Sequence, residues 1–196
     1  MITAPEISRS LFGAWLLARL DRNGAYLFEN TPEALWRSFW AAFIAFPAFA
    51  VLLLLRSVHV EIGVGPFWAL VIQGTGYVIG WVAFPYLMFY VAGLTGRDKF
   101  YCRYIAAYNW AVILQITLML GVTALTASGF VPQGLGVLLM AGTVIAIFIY
   151  QGYIAHAVLE VPVMGAVGIV VLDLIVSLIL QSWTDRLLTG QKVLAG

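Results

Sequence analysis

The chain has 196 residues, of which 63% are hydrophobic and only 10% charged. A soluble globular domain carries about 25% charged residues, so this composition, with a mean hydropathy of +0.98, excludes an ordinary soluble fold. The formal net charge of +1 leaves no basic excess for a nucleic-acid partner. The single cysteine, Cys102, cannot form an intrachain disulfide; it lies near a membrane boundary and reads as an inert thiol.

Residues 1–30 read as a cytoplasmic, interfacial segment. Residues 5–22 mix Ile7, Leu11, Phe12, Trp15 and Leu16 with Ser8, Arg9, Arg19, Asp21 and Arg22, the pattern of an amphipathic helix lying in the membrane interface. A short apolar run over 11–18 follows Arg9. Arg19 and Asp21 come next without a small-x-small cleavage site, so no cleavable signal peptide is expected. Asn23-Gly24 then breaks the helix. Asn30 or Thr31 is placed to cap the following helix, with Pro32 in its first turn and Glu33 near the positive end of its dipole.

Five apolar stretches, near 37–56, 67–93, 104–128, 134–157 and 163–183, can each cross a hydrocarbon core of about 30 Å, which takes about 20 helical residues. Unpaired backbone groups are untenable in lipid, so helix is the expected state of each. A β-barrel would need alternating segments of about ten residues, and apolar runs such as 51–55 and 168–172 do not alternate. The expected fold class is an all-α, polytopic transmembrane bundle of five helices over 31–183, preceded by the interfacial helix and followed by a tail at 184–196. Trp36, Trp40, Trp68, Tyr101 and Trp183 fall near the predicted interfaces. Pro47 and Pro85 lie inside spans, where each should kink its helix and leave carbonyls for neighbours to satisfy.

Lysine and arginine divide unequally. Arg9, Arg19, Arg22, Arg37, Arg97, Lys99 and Arg103 fall on one side, and Arg56, Arg186 and Lys192 on the other. The positive-inside rule predicts a cytoplasmic N-terminus and an outside C-terminus in the cell inner membrane.

Asp173 stands midway along the fifth stretch, flanked by apolar residues over 169–172 and 174–176. A central Asp costs about 2.5–3.5 kcal/mol on insertion scales, and its short side chain cannot snorkel, so it should face protein or a wet cavity. Ser177 and Gln181 fall on nearly the same helix face. Tyr108, Asn109 and Gln115 on the third span and Gln151 on the fourth are candidate partners. Two readings stay open: a protonatable site for an ion or substrate, and a hydrogen-bonded carboxyl that locks helix packing. Gln73, Gly76, Tyr77 and Gly80 on the second span, and Tyr104 beside Tyr108 on the third, read as packing positions. The other reading of these is a polar lining that joins Asp173 in a solute path.

His156 and Glu160 are four residues apart near the end of the fourth span, but two ligands do not make a metal site. His59 and Glu61 fall on the opposite side of the membrane, so His156 and Glu160 read as a solvated interfacial pair. No P-loop, His-Glu-x-x-His or Gly-x-Ser-x-Gly motif is present, and no nucleophile with a partner base can be assembled. The expectation is a non-enzymatic protein without metal or cofactor.

Two local stretches carry a resemblance. Gly96-Arg97-Asp98-Lys99-Phe100 followed by Ala106-Ala107-Tyr108-Asn109 is similar to a basic loop leading into a helix with a small-Tyr-small signature. Tyr150-Gln151-Gly152-Tyr153-Ile154-Ala155-His156 followed by 161–166 is similar to the end of a fourth helix and its short turn into a fifth. With the five-span layout over about 37–183, the chain resembles the Yip family, small membrane proteins with a cytoplasmic N-terminus. The resemblance implies a membrane-organising, trafficking or partner-binding role. The acidic, aromatic Asp-Leu-Tyr-Gly-Pro type segment of eukaryotic members is missing, so Rab-GTPase binding does not carry over. Two other classes stay open: a small transporter or channel subunit using Asp173, and an accessory subunit of a larger membrane complex. Expected partners are membrane lipids and either a second copy or another membrane protein.

Overall fold

The computed structural model describes residues 2–57 and 63–190, with the side chains of Arg56 and Ser57 excepted. His59, Glu61, Lys192 and the Arg56 side chain therefore lie outside the described residues. Among those described there is helix and no strand. The helices are α1 (Ala4–Ala18), α2 (Pro32–Ser38), α3 (Trp40–Ser57), α4 (Pro66–Leu94), α5 (Tyr101–Ala127), α6 (Gln133–Val158) and α7 (Val163–Leu188), with 3-10 turns at Arg22–Leu27 and Asp98–Phe100. Five stretches are long and apolar enough to cross a membrane: Pro32–Leu55, Pro66–Leu94, Asp98–Ala127, Gln133–Val158 and Val163–Leu188. The chain is an all-α integral membrane protein.

Helix boundaries follow backbone hydrogen bonding more than hydropathy. α1 stops at Ala18, earlier than the expected break at Asn23-Gly24. Leu20 takes the left-handed conformation (φ 59°), and Asp21 N–H reaches back to Leu16 O at 2.9 Å while Leu20 N–H reaches Leu17 O, a Schellman closure. Gly24 serves packing instead: a Cβ there would lie 2.5 Å from Gly13 O. α4 closes in the same manner, with Gly96 at φ 66°, Arg97 N–H on Ala92 O at 2.7 Å and Gly96 N–H on Gly93 O. The fifth span continues to Leu188, past the expected end at Trp183. Its polar Thr184 hydroxyl is absorbed by Leu180 O at 2.8 Å, so the helix carries on where the apolar run has ended.

The first span is broken at Phe39, between α2 and α3. Thr31 is its cap, accepting Ala34 N–H at 3.2 Å, while Ser38 Oγ donates to Leu35 O at 2.6 Å. Such back-bonding competes with the helical ladder and bends it. Asn30 caps nothing in α2. Its amide donates to Lys99 O at 2.5 Å and its carbonyl accepts Arg103 N–H at 3.0 Å, clamping the entry to α5. Tyr77 donates to Ala42 O at 2.6 Å and Tyr101 to Pro85 O at 3.0 Å, tying α4 to α3 and α5. The carbonyls that Pro47 and Pro85 deprive of a helical donor, four residues earlier at Phe43 and Trp81, are not the ones these hydroxyls reach.

The core sits around the first half of α5, which packs against α1, α2, α3, α4 and α6. Ala106, Ala107 and Ala111 are buried there, and their small side chains admit close neighbours. α1 lays Ser10, Gly13, Ala14 and Leu17 on this end of the bundle, leaving Phe12 and Trp15 exposed on its other side. Tyr150 donates to Ala14 O at 2.7 Å and Tyr153 to Leu20 O at 2.6 Å, tying the segment to α6. Arg37 pairs with Glu6 at 2.6 Å and Glu29 at 3.2 Å, and Arg9 with Glu29 at 2.6 Å. These partly exposed pairs are individually weak, but together they join α1, the loop and α2.

Candidate functional site

α7 presents Ala166, Ile169 and Asp173 inward and turns Val171 and Ile175 outward, which matches the face expected for a membrane carboxylate. Asp173 is only 7% exposed. Its Oδ1 accepts the Tyr108 hydroxyl at 3.0 Å, and its Oδ2 accepts the Gln151 amide at 2.9 Å. Three helices, α5, α6 and α7, therefore meet at one carboxyl. Gln151 also approaches Gln115 Oε1 at 3.5 Å, while Gln115 Nε2 is buried without a partner. Gly152, next to Gln151, lets α6 come close to α7: a Cβ there would lie 3.6 Å from Val170 Cγ2.

The other candidate residues divide. Asn109 is fully buried but faces away from Asp173, donating to Ser38 Oγ at 2.8 Å. It braces the α2–α3 break, because one residue along a helix rotates the side chain by about 100° from Tyr108. Ser177 and Gln181 line a cavity of about 330 Å³ between α3, α4, α5 and α7, together with Gln73, Gly76, Tyr77, Gly80 and Tyr108. Gly76 and Gly80 face Thr184 and Leu180 at 3.1 and 3.5 Å from ideal Cβ positions, so they set the close α4–α7 approach. Asp173 lies behind Tyr108 and is not part of the cavity wall. Tyr104 is buried beside Tyr108, with ring centroids 6.3 Å apart.

His156 and Glu160 do not form a solvated pair. Glu160 lies beyond the end of α6 with φ 57°, which destroys the helical spacing that the sequence implied. His156 Nδ1 is 2.8 Å from Val161 O and its Nε2 is 3.3 Å from an Arg22 guanidinium nitrogen. A carbonyl only accepts and a guanidinium only donates, so the ring is held with its proton on Nδ1. Glu160 faces Arg97 at 3.9 Å. Among the described residues no group of three or more His, Cys, Asp or Glu is arranged to hold a metal.

Sequence reasoning missed Ser38, the Asn30 clamp and the Arg22–His156–Val161 chain. A serine or asparagine carries no periodic signal, and only tertiary neighbours reveal what it bonds.

No family model, curated protein or solved structure matches the chain. The Yip resemblance stands on its sequence motifs alone.

Proposed function

We propose that this is a non-enzymatic, membrane-organising protein of Yip type that acts through partners in the bilayer, with its N-terminus in the cytoplasm. The observation that supports this reading best is the engagement of both Asp173 oxygens by internal donors behind Tyr108. A carboxyl saturated in this way holds three helices in register, as expected of a packing device. The ordered segment of α1 and the following turn, folded onto the end of α5 and α6, offers partners a shaped surface on the side rich in arginine. Purified protein reconstituted in liposomes loaded with a pH-sensitive dye should pass no more protons or cations than empty liposomes. A flux that Asp173→Asn abolishes in a normally folded protein would overturn this reading.

The polar cavity favours a second reading. Tyr108, Ser177 and Gln181 line it, and Tyr108 connects it to Asp173, which is the layout a small transporter or channel subunit would use. The same flux measurement decides between the two. Mass spectrometry from mild detergent separates a third class, an accessory subunit, by its co-purifying larger complex.

A further inference from the structure

We infer that the chain carries a binding site for one anionic phospholipid, with its phosphate among Arg22, Arg97 and Arg103 and an acyl chain in the groove between α6 and α7. The inference is independent of the Yip reading and lies at the opposite end of α6 from the start of that helix.

The headgroup half is a cavity of about 540 Å³ lined by Arg22, Arg97, Arg103, His156 and Glu160. Four separate segments supply these side chains: the Arg22–Leu27 turn, the Schellman closure after α4, the start of α5 and the end of α6. Three guanidinium groups face one carboxylate, and that carboxylate stands off at 3.9 Å from Arg97. Arg103 Nε is buried with no hydrogen-bond partner, and Arg103 makes no ion pair among the described residues. Like charges gathered on a cavity repel one another. A phosphodiester relieves that repulsion, since it is anionic and its oxygens accept the forked arginine donors. His156 is a positioning residue here. Anchored on Val161 O, its Nε2 receives Arg22 and aims that side chain at the cavity.

The acyl half begins where the headgroup half ends. A groove of about 450 Å³ is lined by Leu20, Ile149, Gly152, Val167, Val170 and His156. His156 belongs to both walls. Ile149 and Val167 are exposed on its rim, on helices that cross the membrane. Gly152 deepens it by leaving no side chain between α6 and α7. A basic pocket at the edge of the hydrocarbon, continuous with an apolar groove running into it, has the two-part chemistry of a charged lipid. Neither a soluble phosphate nor a neutral lipid would use both parts.

The full chain, purified in dodecylmaltoside, tests this by native mass spectrometry and thermal unfolding with phosphatidylglycerol, phosphatidylcholine, glycerol 3-phosphate or inorganic phosphate added. Phosphatidylglycerol should bind at least ten-fold more tightly than phosphatidylcholine and raise the unfolding temperature, while the two soluble phosphates do neither. Arg97→Gln and Arg103→Gln should each lower that preference about five-fold. Val167→Trp, at an exposed rim position, should weaken phosphatidylglycerol by filling the groove and leave unfolding without lipid unchanged. Should Arg103→Gln fail to fold, Arg97→Gln and Val167→Trp still decide. Equal binding of the two lipids, or a preference that survives both arginine changes, overturns the site. Equal stabilisation by glycerol 3-phosphate or inorganic phosphate would make it a soluble-anion pocket and overturn the lipid assignment.

Discussion

Removing the acceptor at position 173 sets two energies against each other. On insertion scales a central Asp costs about 2.5–3.5 kcal/mol and a Leu gains about 0.3–0.6 kcal/mol, so Asp173→Leu should ease entry of α7 into the bilayer by about 3–4 kcal/mol. Within the folded bundle the same change strands the Tyr108 hydroxyl and the Gln151 amide, which now donate at 3.0 and 2.9 Å. An unsatisfied buried donor costs about 1–3 kcal/mol. Hydrogen bonds between membrane helices average about 0.6 and reach about 1.7 kcal/mol, because inserted but unpacked helices find other partners. With the membrane values for two donors, packing should weaken by about 1–3 kcal/mol. Asp173→Asn differs, since its carbonyl can accept from Gln151 while its amide donates to the Tyr108 oxygen, a phenol being both donor and acceptor. Its cost should stay below about 1 kcal/mol by the same reasoning. The assay must begin from inserted helices, so reversible unfolding in mixed micelles of rising SDS fraction is the appropriate measurement. The expected order of stability is wild type, then Asn, then Leu. A Leu variant at least as stable as wild type would refute the claim that this carboxyl holds the helices together.

Gly24→Ala would set a Cβ 2.5 Å from Gly13 O and 2.9 Å from Leu17 Cγ. Overpacking of this kind costs about 1–3 kcal/mol, and it should appear as faster protease cleavage over 19–30 with α5 and α6 still protected. The Arg9 guanidinium bonded to Glu29 holds that carboxyl below its ordinary value. A folded value below the unfolded one means the pairing contributes fully above about pH 4.3 and is lost as pH falls through the lower, folded value. Acid titration followed by accessibility of a cysteine placed at Ser8 should therefore show loosening of α1 below the ordinary glutamate range, and Glu29→Gln should remove that transition. For topology, reporters fused after Gly196 and within 96–103 should read outside and cytoplasmic respectively; a cytoplasmic reading at Gly196 would overturn the proposed orientation.

Five spanning helices are legible in the sequence because each is long, apolar and bounded by proline, glycine or interfacial aromatics. Asp173 is legible for a related reason: one carboxyl inside an apolar run must turn to protein, and its partners come from polar residues at comparable depth. Tyr108 and Gln151 follow from that logic, and Asn109 does not, because depth alone leaves rotation about the helix axis open. The α1 terminus is illegible in another way. A left-handed Leu20 is tolerated because the Schellman hydrogen bonds and the Tyr153 hydroxyl on Leu20 O over-determine it, and nothing in the local sequence announces that support. Gly24 looks like a helix breaker, yet its role comes from Gly13, which is close only after the chain has turned back on itself.

The arginines show how a sequence count can hide a structural division. In the sequence, Arg9, Arg19, Arg22, Arg37, Arg97, Lys99 and Arg103 act as one quantity, a bias from which an orientation is predicted. The fold divides them. Arg9 and Arg37 are neutralised by Glu6 and Glu29 in the network that fastens α1 to α2. Arg19 and Lys99 are exposed. Arg22, Arg97 and Arg103 converge on one cavity with a single loosely placed carboxylate. If all seven served orientation only, any of them could be moved along its loop without consequence, since the positive-inside rule counts charges and ignores their geometry. Three are instead fixed by a Schellman turn, an asparagine clamp and a histidine anchored to a backbone carbonyl. Fixing charges of one sign side by side makes physical sense when an anion occupies the space between them.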